Sequence, residues 1–129
     1  MQTFKKIERL CSQKLITELF SKGKFFYINP FKVVYYKTEL PFNTPSQLLI
    51  SVSKRNFKKA VDRNKIKRLI RESFRKNNSL FYNFCTLNNI QCVFMISYNT
   101  KIILSYSEIE NKIKLILQRL VMEYEKSLK

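Results

Sequence analysis

Apolar residues return along this chain with two different periods, and the places where the period changes mark its elements. In "SQKLITELFSKG", Leu15, Ile16, Leu19 and Phe20 recur at helical spacing, with Ser12 placed as an N-cap and Gly23 as a C-terminal stop. This predicts a short first helix. "KFFYINPFKVVYYK" is aromatic and β-branched, and Pro30 in its middle divides it into two strands or bends an edge. In its second half Phe31, Val33 and Tyr35 point one way while Lys32, Val34 and Tyr36 point the other. After the turn-rich "LPFNTPS", "QLLISVSK" repeats the alternation: Leu48, Ile50 and Val52 share one face, and Leu49, Ser51 and Ser53 the other. Both strands have a greasier side and a more open one, the pattern of a sheet with helices on one face.

The period then lengthens. "KKAVDRNKIKRLIRESFRKN" places Ile66, Leu69, Ile70 and Phe74 in one sector roughly 140° wide, the stripe of a helix docked on a sheet. A polar loop is expected around "NNSLFYNFCTLNN", residues 77–89, followed by "IQCVFMISY", apolar at almost every position and so a strand buried on both faces. Ser105 and Glu108 form a capping box ahead of a closing helix striped by Ile109, Ile113, Ile116, Leu117, Leu120 and Val121. The expected order is α-β-β-β-α-β-α, an α+β sandwich. Without an internal repeat or a long linker, residues 1–129 read as a single RNA-binding domain once the charge is considered.

That charge is concentrated. Lys and Arg total 25 against 9 Asp and Glu, a formal net charge of +16, and the window 54–76 alone holds eleven basic and two acidic side chains. On the long helix Asn64, Lys67, Arg68, Arg71 and Arg75 follow i, i+3, i+4, i+7, i+11 spacing and fall within about 100° of one another, opposite the apolar stripe. A solvated surface helix would also be charged, but such faces interleave Glu with Lys, and here only Asp62 and Glu72 are at hand, outside the cationic sector. An anionic membrane surface would require large exposed apolar residues, which this helix needs for the sheet. A polyanion rich in phosphate fits best, since arginine's planar fork binds phosphate oxygens in pairs.

Absences restrict the chemistry. With no histidine there is no Ser-His or Cys-His pair and no HExxH zinc site, and one glycine cannot build a Walker loop. The carboxylates are scattered, so a self-contained nuclease is not expected. Cys11, Cys85 and Cys92 lack a C-x-x-C spacing and read as reduced, mostly buried residues. No apolar run reaches the roughly 20 residues of a membrane span and "MQTFKKIERLCSQK" lacks a signal-peptide core, which predicts a soluble cytoplasmic protein.

RNA is expected over double-stranded DNA because the sheet's open side would show Lys32, Val34, Tyr36, Ser51 and Ser53, with Arg55 just beyond and Phe20 at the border. Aromatic, lightly charged grooves suit unpaired bases. Tyr36 and Phe20 could equally be core.

At these residues a family emerges. "ISVSKRNFKKAVDRNKIKRLIRESFR" resembles the signature of the bacterial ribonuclease P protein subunit, the basic partner of a catalytic RNA, and the similarity extends from "ERL" at Glu8 through "LSYSEIENKIKLILQRL". The Arg-Asn-x-x-Lys-Arg-x-x-Arg pattern at Arg63, Asn64, Lys67, Arg68 and Arg71 after a "SVSK" strand carries it. The resemblance implies a two-layer sandwich with a mixed four-stranded sheet and a left-handed strand-helix-strand crossover, against the usual right-handed rule. It implies a ribonucleoprotein endonuclease in which the catalytic ribonuclease P RNA and its Mg²⁺ free the 5′ leader of precursor tRNA, while the protein supplies affinity. Arg63, Asn64, Lys67, Arg68 and Arg71, with Arg75 one turn on, would meet the RNA subunit; Phe20, Lys32, Val34, Tyr36, Ser51 and Arg55 would hold the single-stranded leader. No catalytic or metal-binding side chain is expected, and neither membrane nor DNA is an expected partner. The alternative is a structural RNA-binding protein of ribosomal or RNA-chaperone type. Three positions depart from the family pattern: Ile16 replaces a usual aromatic, and Leu49 and Phe57 replace usual glycines.

Overall fold

The computed structural model describes residues 8–41 and 43–128. Its elements run α1 (Gln13–Lys22), β1 (Lys24–Ile28), β2 (Phe31–Lys37), β3 (Ser46–Val52), α2 (Ala60–Asn77), α3 (Ser79–Leu87), β4 (Cys92–Tyr98) and α4 (Tyr106–Leu128). Phe42 in the expected turn and residues 1–7, part of the signal-peptide argument, lie outside the described residues. The strands form one mixed sheet in the order β1-β2-β4-β3. β1 pairs antiparallel with β2, and β2 with β4, whereas β3 and β4 are parallel and joined by the crossover through α2 and α3.

Pro30 divides the aromatic segment as expected, since β1 and β2 are separate strands about the Asn29-Pro30 turn. Ser12 caps α1, its Oγ accepting from the Leu15 N–H at 3.3 Å, and Ser105 does the same for Glu108 N–H at 3.2 Å ahead of α4. Gly23 stops α1 for a different reason than a left-handed turn. Its φ of −70° is open to any residue, but a Cβ there would lie 2.3 Å from the Leu19 carbonyl oxygen and 3.0 Å from that of Tyr35. Close approach of the chain to its own helix and to β2 excludes a side chain.

Strand parity sorts the core. Phe31, Val33 and Tyr35 of β2, Leu48 and Val52 of β3, and Phe94, Ile96 and Tyr98 of β4 pack with Ile66, Ile70 and Phe74 of α2 and Ile109, Ile113 and Ile116 of α4. The other face is not left open along its length. Val34, Val93 and Met95 form a second, smaller cluster with Leu19 of α1, to which Leu15, Ile16, Tyr36 and Leu49 add partly buried contacts. A strand apolar on both faces requires cover on both, and α1 is that cover.

The expected loop at residues 77–89 is a correction: most of it is α3. Phe81 and Cys85, one turn apart, are buried in the main core, and Phe81 packs edge-on against Phe94 at 5.9 Å between ring centroids. The flanking asparagines hid the spacing, because they occupy the ends of this helix rather than a coil: Asn78 C=O accepts from Tyr82 N–H at 2.8 Å.

Candidate nucleic-acid interface

Helix α2 presents two unlike sides. Its apolar side closes on the sheet and α4, while Asn64 and Arg68 are exposed and Lys67 and Arg71 half-buried on the outward side. Among the described residues, Asn64, Lys67 and Arg68 have neither an ion pair nor a hydrogen-bonded side-chain partner. Cations stacked one turn apart without carboxylates repel, and bound phosphates would relieve that repulsion.

Two members of the expected cationic set are engaged within the protein. Arg63 turns back along the helix start, donating from Nη1 to the Phe57 and Lys58 carbonyls at 2.8 and 3.0 Å. Arg75 is bound to the Glu72 carboxylate through both Nε and Nη2, so Glu72, though outside the cationic sector, engages one of its members. The hydrogen bond from Arg75, with nearby Lys76, holds the Glu72 carboxyl below its ordinary range. An i,i+3 pair bridges the two sectors because arginine reaches sideways across a full turn.

One cation was missed from the sequence. Arg9 lies near Arg71, and burial, then the Arg9 charge, lower the Arg71 pKa from its ordinary value while leaving it protonated. The segment carrying Arg9 is fastened beside β3 by a parallel bridge to Leu48, with Leu10 N–H donating to Leu48 C=O at 3.0 Å. Tyr82 of α3 also holds it, donating to the Glu8 carboxylate at 2.8 Å; burial pushes the Tyr82 hydroxyl pKa upward. Nothing in the local pattern of "ERL" signals this neighbourhood, which depends on α2, α3 and β3 together.

The six residues expected to hold a single strand are divided. Register places Lys32 opposite Ser97, and Ser97 opposite Ser51, so these three form a polar row across β2, β4 and β3. Ser97 was legible as the polar position in an otherwise apolar strand. Arg55 is exposed just past the end of β3, its N–H held by Ser53 Oγ at 3.0 Å. Val34 is only 8% exposed and lies in the cluster under α1. Tyr36, about 13 Å along β2 from Lys32, is half-buried in a groove of about 440 Å³ shared with Lys22, Lys24, Lys37 and Lys126. Phe20 is 58% exposed, on the same side of α1 as half-buried Ile16. Helix α1 thus separates a polar row from a tyrosine in a groove lined by four lysines and by Glu123.

The three departures are absorbed by packing. Phe57 is buried with its ring 6.0 Å from that of Tyr98, Leu49 is opposite Met95 in the second cluster, and Ile16 packs into the same cluster. Among the described residues no group of three or more Cys, Asp or Glu could hold a metal ion, and no helix is long and apolar enough to cross a membrane.

Comparison with known proteins matches the Ribonuclease P family model over residues 4–121. The chain belongs to the ribonuclease P family. The ribonuclease P protein component of Petrotoga mobilis is 34% identical over 122 residues, covering 92% of this chain and 96% of that one. That of Porphyromonas gingivalis is 41% identical over 75 residues, covering 58% of this chain; the match spans only 55% of the relative's length. The RNase P protein of Thermotoga maritima superimposes with a TM-score of 0.69 at 25% identity, covering 87% of this chain and 96% of that one. The Arg-Asn-x-x-Lys-Arg-x-x-Arg motif of this ribonuclease P family chain lies on α2, with Arg63 anchored at the helix start and the later residues facing outward.

Proposed function

We propose that this chain is the protein subunit of a ribonuclease P ribonucleoprotein. It assists a catalytic RNA in Mg²⁺-dependent endonucleolytic removal of the 5′ leader from precursor tRNA. The observation that carries the reading is the outward face of α2, where Asn64, Lys67, Arg68 and Arg71 project together and Arg9 adds a further charge beside Arg71. This face binds the RNA subunit chiefly through phosphates. The polar row of Lys32, Ser97 and Ser51, with Phe20, Arg55 and Tyr36 around α1, contacts the unpaired leader. Mg²⁺ is held mainly by RNA and substrate, where metal ions can activate water and stabilise the leaving oxygen; the protein raises affinity for the correct substrate. These activities belong in the cytoplasm.

The test is cleavage of a 5′-labelled precursor tRNA by the cognate ribonuclease P RNA at low Mg²⁺, with and without the protein, beside the protein alone. The protein alone is expected to be inert and to restore correct cleavage to the RNA. RNA binding without stimulation of cleavage would overturn the subunit reading in favour of a structural RNA-binding role.

A further inference from the structure

Beyond the residues so far assigned to the leader, the polar row continues onto the edge strand. Tyr27 pairs in register with Lys32, so Tyr27, Lys32, Ser97 and Ser51 form one line across all four strands, and Phe25 lies beside it opposite Val34. Phe25 and Tyr27 are 59% and 62% exposed, and their rings meet edge to face at 5.8 Å. Lys32 Nζ stands 4.9 Å from the Phe25 ring centroid and 5.8 Å from that of Tyr27. A threonine or valine would satisfy the preferences of an edge strand while exposing less apolar area. Two exposed rings under one ammonium instead offer an aromatic face and a cation at stacking distance, the combination that holds a base and its phosphate.

We propose that Phe25 and Tyr27 form a stacking site for an unpaired RNA base, with Lys32 turning from the rings to the adjoining phosphate. The site extends the leader track past β2 to the sheet edge. Charge complementarity selects RNA as the occupant: the rings lie under the Lys32 ammonium on a chain of net charge +16. Because the rings are nearly perpendicular, at 81°, one base stacks on one ring and abuts the other, so the two side chains act as a unit. The inference rests on the ribonucleoprotein reading above.

The test uses the reconstituted holoenzyme with precursor tRNA bearing a long leader, a short leader or none. Phe25→Thr and Tyr27→Thr are each expected to weaken binding of the long-leader substrate by about fivefold or more. Binding of leaderless tRNA should be unchanged, and Tyr27→Phe should behave as the unaltered protein. If both threonine variants bind the long leader as tightly as the unaltered protein while Tyr36→Ala loses leader preference, the stacking site is wrong and the functional reading stands. If the unaltered holoenzyme itself shows no leader preference, the leader reading fails and takes this inference with it. A dimer in sedimentation that Tyr27→Thr dissociates would make the patch a self-association edge and overturn the proposal. Photo-crosslinking from 4-thiouridine in the leader of the unaltered complex needs no variant to fold: label in the peptide containing residues 25–27 supports the site, and its absence there overturns it.

Discussion

The two faces of the sheet are built from the same strands and put to different uses. One is closed along its length by α2 and α4 around fully buried Phe31, Phe94, Ile70 and Ile113. The other is covered mainly in the middle, by the ten residues of α1 together with Leu10 and Leu40, with polar and aromatic side chains emerging at either end. The first face supplies most of the buried apolar area and hence most of the stability. The second needs just enough cover to protect Val34, Val93 and Met95, which leaves strand positions free to meet a ligand. Alternation lets one strand serve both purposes without compromise, since neighbouring residues never share a face.

The contrast is broken most severely from the closed side. Phe74→Ala should cost about 3–5 kcal/mol of stability and reduce every RNA-dependent activity in parallel, as read by denaturant unfolding beside binding. A loss under about 1 kcal/mol would mean that the face is less tightly packed than its burial implies. Leu19→Ala, at the centre of the second cluster, should cost about 2–3 kcal/mol, at the low end for leucine because α1 lies near solvent and can settle inward. Its effect on leader preference should exceed its effect on RNA-subunit binding; equal losses would show that α1 serves the fold alone. Gly23→Ala should destabilise by about 1–3 kcal/mol, because the methyl group would strike the Leu19 and Tyr35 carbonyls.

Smaller effects sharpen the division within α2. Arg68→Ala should weaken RNA-subunit binding regardless of leader and lower the salt slope by about one. Arg75→Ala should change the slope less, since Glu72 already neutralises part of its charge. Equal slopes for the two variants would show that RNA draws Arg75 away from Glu72.

The order of elements and the outward α2 face were readable because both depend on local repetition. A helix or strand must bury a stripe of its own periodicity, and Ile66, Ile70 and Phe74 or Phe31, Val33 and Tyr35 announce theirs within a few residues. Helix α3 escaped because its stripe is short and set among asparagines that resemble loop residues until their backbone partners are known. The pairing of Arg75 with Glu72 could have been read from i,i+3 spacing, whereas the return of Arg63 to the Phe57 carbonyl depends on the path of the preceding turn.

Strand register accounts for the remaining difference. Periodicity assigns each residue to a face but says nothing about which residues of other strands stand beside it, because that requires chain segments far apart in sequence to meet. Lys32, Ser97 and Ser51, 65 positions apart at most, became one row only through pairing of β2, β4 and β3. Pairing with β1 added Tyr27 to it. In the same way Arg9 reached Arg71 only when the segment before α1 was laid along β3. Local composition and period thus established the elements and the cationic helix, while long-range contacts chose the neighbours that make a surface specific.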